Sequence, residues 1–164
     1  MHQIKLELMQ RNDLPEVVAI ASETKLGTWR VNDYEDELDR KDSYLLSAKK
    51  CLTVIGFIAV RFTLVGGADA PIYSEADIIN IGVSIDYQSK GIGSLLLNEF
   101  LIYAEKIKIK TVWLEVRESN TKAQNFYRLN GFVPVQKRKN FYTEPVEDAL
   151  VMKINLAGIL EISN

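Results

Sequence analysis

The run Asp77–Ile85, DIINIGVSI, and the run Asp86–Gly93 that follows it, DYQSKGIG, constrain this chain more than any other stretch. Ile78, Ile79, Ile81 and Val83 put β-branched side chains on both faces of the first run. Such a strand is satisfied when both faces are covered, which places it near the middle of a sheet. Beyond it, Leu95, Leu96, Phe100, Tyr103 and Ile107 keep helical spacing. A central strand must therefore turn almost directly into a long amphipathic helix. Two glycines, Gly91 and Gly93, stand at that turn. A plain turn needs one glycine at most, so two suggest that something approaches the backbone closely.

The rest of the chain fits around this junction. Ile4, Leu6 and Leu8 alternate with polar residues and predict a first strand. NDLPEVVAIASET reads as a helix, with Asp13 able to cap it, Pro15 tolerated in its first turn and Glu16 three residues after the cap. NDYEDELDRK predicts a second, acidic helix, and SYLLSA and LTVIGFIAVRFTLV predict two strands. Gly66–Ala76 is loop by composition. KTVWLEVR is a strand with Thr111, Trp113, Glu115 and Arg117 on one face and Val112, Leu114 and Val116 on the other. SNTKAQNFYRLNGF is a short helix that Ser119, Asn120 or Thr121 can cap and Gly131 ends. FVPVQKRKNFY and EDALVMKINL close the chain as a strand pair. The order is strand, two helices, three strands, helix, strand, helix, two strands, a mixed α/β single domain.

Several function classes fall away. The chain has 164 residues, enough for one domain with a real core, and 47% hydrophobic with 26% charged residues is a soluble, globular composition. A net charge of −2 gives no electrostatic case for nucleic acid. No apolar run approaches the ~20 residues of a membrane span, and the charged, alternating MHQIKLELMQ does not read as a signal peptide. Cys51 is the only cysteine and His2 the only histidine, which leaves no internal disulfide and no zinc site, and points to a reducing, cytoplasmic setting.

Unpaired N–H groups at a helix start attract anions, glycines let a phosphate approach, and Lys90 adds charge. A P-loop requires Lys-Ser/Thr after the second glycine, where this chain has Ser94-Leu95. The dinucleotide fingerprint requires a third glycine, where this chain has Leu96. Gln88, Gly91 and Gly93 match a third pattern, Gln/Arg-x-x-Gly-x-Gly/Ala. On these residues alone, a ligand-free glycine-rich turn also stays open.

INIGVSIDYQSKGIGSLLL, VWLEVRESNTKAQNFYRLNGF and KNFYTEPVEDALVMKI occur in an order and spacing that resembles the GNAT superfamily of N-acetyltransferases. Within it the chain resembles the ribosomal-protein alanine N-acetyltransferases, which acetylate protein N-termini. TWRVNDYEDEL resembles that subfamily's Pro-Trp-Ser-x-x-x-Phe-x-x-Glu-Leu segment. The likeness covers nearly the whole chain. It implies a single-domain GNAT fold over residues 1–156, with about six to seven strands in a mixed central sheet flanked by about four helices. Residues 157–164 would be a tail.

The resemblance also implies a chemistry. An amine attacks the thioester of acetyl-CoA by direct transfer, without a metal. Glu115 resembles the general base, with its pKa lifted by partial burial, and Tyr127 the general acid. Asn120 resembles the residue that bonds the pantetheine arm. The backbone of Ile81, Gly82 and Val83 resembles the segment that pairs with the pantetheine amides, the Val83 N–H polarising the thioester carbonyl. Ser89, Lys90, Gly91, Ile92, Gly93 and Ser94 resemble the diphosphate loop, and Tyr142 lies where the family has an aromatic near the acceptor. Read as residues, Glu115 is equally an exposed acid on an amphipathic strand. Tyr127 could be a core aromatic on the Ala123, Phe126, Tyr127, Asn130 face, although Phe126 already supplies a packing ring. Asn120 could be a plain cap and Gly82 a bulge.

The expected partner is a protein N-terminus, that of a ribosomal protein. A small amine, a polyamine or a lysine side chain is the alternative acceptor, and a CoA-binding sensor without turnover is the alternative class. Thr28 where the family has proline, Gly82 where it has alanine, and the long Gly66–Ala76 loop bear on the acceptor. Asp33, Glu35, Asp36, Glu37 and Asp39 form an acidic cluster that could attract a basic tail but reads first as a helix face turned to water. Cys51 reads as packing at a strand start, and His2 as a disordered terminal residue.

Overall fold

The computed structural model describes residues 4–27, 29–65 and 72–156. Among them are seven strands and four α-helices: β1 Ile4–Leu8, α1 Leu14–Glu23, α2 Val31–Leu38, β2 Ser43–Lys50, β3 Thr53–Val65, β4 Ile72–Val83, α3 Ile92–Lys106, β5 Thr111–Arg117, α4 Thr121–Leu129, β6 Val133–Thr143 and β7 Val146–Asn155. This is the element order that the sequence predicts. The strands form one sheet in the order β1-β2-β3-β4-β5-β7-β6, with β4 at the centre. His2, Thr28, the 66–71 part of the expected loop and the 157–164 tail lie outside the described residues. The chain divides into two compact units, Met1–Phe62 with Ile79–Ala104, and Thr63–Ile78 with Glu105–Asn164.

In the first unit, β1, β2 and β3 run antiparallel. The β2–β3 turn is Cys51–Leu52, with Cys51 exposed at a φ of 57°. Cys51 therefore caps a hairpin rather than packing at a strand start. Leu14, Val17, Ile20 and Ala21 form the buried stripe of α1 and meet Tyr34 and Phe57 in the core. The expected cap of α1 is used differently. Asp13 makes no side-chain cap for α1, and its carboxylate accepts from the N–H of Gln10 (3.0 Å), closing the 3-10 turn Arg11–Asp13 one step earlier. Glu16 reaches away and accepts from the N–H of Val54 (2.8 Å) at the start of β3.

The acidic helix α2 is not simply turned to water. Glu37 is buried, takes the guanidinium of Arg61 through Nε at 3.0 Å and through Nη2, and accepts from the Ser43 hydroxyl. Asp33 accepts from the N–H of Arg30, and Asp39 and Glu35 pair with Arg11.

The second unit is built on β5. Its Val112, Leu114 and Val116 are buried, as the alternation predicts. β4 lies parallel to it, with Glu75–Ile78 in register with Thr111–Leu114. Residues 72–76, which composition places in a loop, therefore form the start of β4. On the other side, β7 pairs antiparallel with β5 and with the edge strand β6. Asn120 caps α4, its side-chain oxygen accepting from the N–H of Ala123 (3.0 Å). Gly131, at a φ of 89°, ends the helix, and the N–H of Phe132 returns to the carbonyl of Tyr127 (3.0 Å).

Candidate active site

The first unit carries the glycine junction. The N–H of Ser84 donates to the Ile55 carbonyl (3.0 Å), and the Gln88 amide donates to the Val83 carbonyl (3.1 Å). Gln88, the first residue of the matched pattern, thus folds the loop back onto the end of β4. Ser89 and Gly91 both take left-handed backbone, at φ 59° and 82°. The first helical bond of α3 runs from the N–H of Leu95 to the carbonyl of Gly91 (3.0 Å). The N–H groups of Ile92, Gly93 and Ser94 are then first-turn donors, without a partner inside the helix. A Cβ added at Gly91 would meet nothing within 4 Å, so the space beside it is open. These features fit a diphosphate cradle: open space, a left-handed turn and a helix start. Lys90 is held locally, donating to the Asp86 carbonyl (2.7 Å), with its ammonium 5.3 Å from the Tyr87 ring centroid.

Gly82 also has a packing reason. A Cβ there would lie 2.7 Å from Leu26 Cδ1, 3.0 Å from Phe57 Cε1 and 3.2 Å from Ile20 Cγ2. Leu26, beyond the end of α1, Phe57 of β3 and Ile20 of α1 crowd the space where a side chain would stand. Ile81 and Val83 flank it, half-buried.

The second unit carries the titratable residues. Glu115 follows Leu114, the last β5 residue of the parallel register. Its carboxylate is 25% exposed and pairs with Arg138 Nη1 through Oε1 (2.9 Å). Burial raises its pKa above the ordinary glutamate value, Arg138 opposes that, and Asp77 adds to it. Tyr127 is buried on α4, edge-on to Phe126 and to Phe132. Burial pushes its phenol well above the ordinary value. Phe126, read from sequence as the packing ring, is only half-buried.

Sequence reasoning missed a clasp around Arg117. Its guanidinium donates to the carbonyls of Glu144 (3.1 Å) and Pro145 (3.2 Å) and to Glu147 Oε2 (3.2 Å), and lies 4.1 Å from the Tyr142 ring centroid. Glu147 Oε1 accepts from the N–H of Ser119 (2.6 Å). The β6–β7 turn, Tyr142 and the start of α4 are thus tied to β5. Arg138 was also missed. The only sequence signal was the basic run Lys137-Arg138-Lys139 on a strand pairing two strands away from Glu115.

Comparisons with known proteins show the family and the fold. The family model described as the acetyltransferase (GNAT) family matches residues 14–132, more than half of the chain. The [ribosomal protein bS18]-alanine N-acetyltransferase of Escherichia coli strain K12 is 39% identical over 88 residues, 52% of this chain and 60% of that protein. The match therefore spans less than two thirds of that relative's length. The crystal structure of the ribosomal-protein-S18-alanine N-acetyltransferase from Escherichia coli superposes with a TM-score of 0.78 at 26% identity, covering 93% of this chain and 94% of that one. Arabidopsis thaliana NAA60 in complex with acetyl-CoA shares the fold, with a TM-score of 0.83 at 19% identity over 95% of this chain and 100% of that one. On the strength of the match over residues 14–132, the chain belongs to the acetyltransferase (GNAT) family.

Proposed function

We propose that this protein moves the acetyl group of acetyl-CoA to the N-terminal α-amino group of a protein, with a ribosomal protein as the expected acceptor. The observation that carries the reading is Glu115: a partly buried carboxylate of raised pKa, just beyond the parallel register of β4 and β5. Family membership and the names of the bS18-alanine N-acetyltransferases support it.

In this reading, Ser89–Ser94 holds the diphosphate of acetyl-CoA through backbone N–H groups, and Ile81–Val83 and Asn120 hold its pantetheine arm. The Val83 N–H polarises the thioester carbonyl. Acetyl-CoA supplies an activated acyl carbon and a leaving thiolate. An α-amino group titrates near pH ~8, so Glu115 has to remove only a proton that is already weakly held. Its raised pKa brings it closer to that task than an ordinary glutamate. Tyr127 stays protonated across the working range because burial disfavours its phenolate. It gives a hydrogen bond to the departing sulfur and so stabilises the thiolate as it leaves.

Two variants test these roles. Glu115→Gln is expected to lose about 10²–10⁴-fold in kcat with acetyl-CoA affinity unchanged, the range of a positioned general base. Tyr127→Phe is expected to slow thiolate release, read as a loss in kcat by continuous thiol detection. Full activity in both would remove the assignments.

A further inference from the structure

We propose that Arg138 is a positioning residue for this reaction: it reaches across β7, pairs with Oε1 of Glu115 and holds the carboxylate in the orientation from which it takes the proton. The proposal rests on the reading of Glu115 as the base.

The sheet register explains how the two meet. Arg138 on β6 stands opposite Ala149 on β7, and Ala149 stands opposite Arg117 on β5. Glu115 stands opposite Val151. Directly opposed residues share a face, so Arg138 and Glu115 lie on the same side of the sheet with β7 between them. Ala149 is fully buried and offers only a methyl group, so no side chain at that position blocks the guanidinium. Arg138 Nη1 reaches Glu115 Oε1 at 2.9 Å. The Phe141 ring centroid, 5.6 Å from the guanidinium carbon, steadies it on its own strand.

Arg117 commits its guanidinium to Glu144, Pro145 and Glu147, and so is not the cation of Glu115. The charged and titratable groups around Glu115 are Asp77 on β4, Arg117 on β5 itself, and Arg138 and Tyr142 on β6. On β7, the facing residue Val151 is apolar, and Lys153 stands opposite Trp113 instead. Arg138 is therefore the cation paired with the base. It opposes Asp77 and fixes the rotamer from which a proton can be taken.

Arg138 is half-exposed on the edge strand, so its replacement leaves the fold in place. The test compares the pH profile of kcat/KM for the wild type, Arg138→Met, Arg138→Lys and Glu115→Gln. The ionisation of Glu115 is followed separately by its carboxyl carbon in NMR. In Arg138→Met the acid limb of the profile and the Glu115 titration both move to higher pH. At the acid end kcat/KM then drops several-fold, with KM for acetyl-CoA unchanged. Arg138→Lys, which restores the charge, moves both back toward the wild type. A Glu115 titration unchanged in Arg138→Met overturns the proposal. So does an acid limb unmoved by Arg138→Met but abolished by Glu115→Gln, which leaves Glu115 as the base. A fully active Glu115→Gln enzyme removes the general-base reading itself.

Discussion

Glu115 sits under opposing forces that its variants can separate. Burial raises its pKa, Asp77 adds to the rise and Arg138 counters it, with the balance remaining upward. A carboxyl group whose folded pKa lies above its unfolded value binds its proton more tightly in the folded state. It therefore contributes stability at acid pH, and that contribution is lost as pH rises through the folded pKa. Glu115→Gln is thus expected to raise the melting temperature above the wild type by a few degrees at about pH 8, with the difference closing at about pH 4, where the wild-type group is protonated too. Thermal melts at the two pH values check this. A residue that gives up stability in this way fits a site shaped for chemistry. Glu115 was legible in the sequence through the LEVRESN pattern, but its cation was not. Arg138 is far along the chain and meets it only through strand pairing. The Tyr127 environment was half-legible: the amphipathic face was visible, but two adjacent aromatics do not reveal which one turns inward.

At the scale of elements, the glycines separate into two kinds. Gly91 is required by its left-handed backbone, since a Cβ there meets open space. Gly91→Ala is therefore expected to cost about 1–2 kcal/mol of conformational strain and to weaken acetyl-CoA binding. Urea melts and isothermal titration measure the two effects. Gly82 is crowded by Leu26, Phe57 and Ile20, and the sequence could not show that, because those side chains come from distant parts of the chain. Glu37 shows the same limit. An acidic helix reads as solvent-facing until Arg61 on β3 is seen against it. Arg61→Met leaves that buried carboxylate short of its main cation, whereas Glu37→Gln leaves a cation that is 40% exposed and can turn to water. Arg61→Met is expected to destabilise by about 3 kcal/mol, from the usual cost of breaking a buried pair, and by more than Glu37→Gln. Equal losses in chemical denaturation would contradict this asymmetry. Capping was legible where the cap is local, as at Asn120, and illegible at Asp13, where Ser47 and Lys49 of β2 compete for the same carboxylate.

For the molecule as a whole, the order of elements was legible because each announces itself locally, by alternation, by helical spacing or by a terminating glycine. The sheet order was not, since β7 inserts between β5 and β6 and β4 pairs with β5 in parallel. Those pairings are set by contacts far apart in sequence. Of the five clustered acids, Asp33, Glu35, Glu37 and Asp39 have internal partners. With a net charge of −2 besides, little field is left to draw in a basic tail. Raising salt from about 0.05 to about 0.5 M is expected to change the peptide KM by less than about threefold, which steady-state kinetics would show. The most direct test of the central claim offers the purified protein acetyl-CoA together with an unbiased library of N-terminal peptides, free polyamines and lysine-bearing peptides blocked at the α-amine, with mass spectrometry locating the acetyl group. Acetylation of α-amino groups in a narrow set of peptides, including those from ribosomal proteins, is expected. Transfer only to polyamines or lysine side chains, or acetyl-CoA binding without transfer to any acceptor, would contradict the claim.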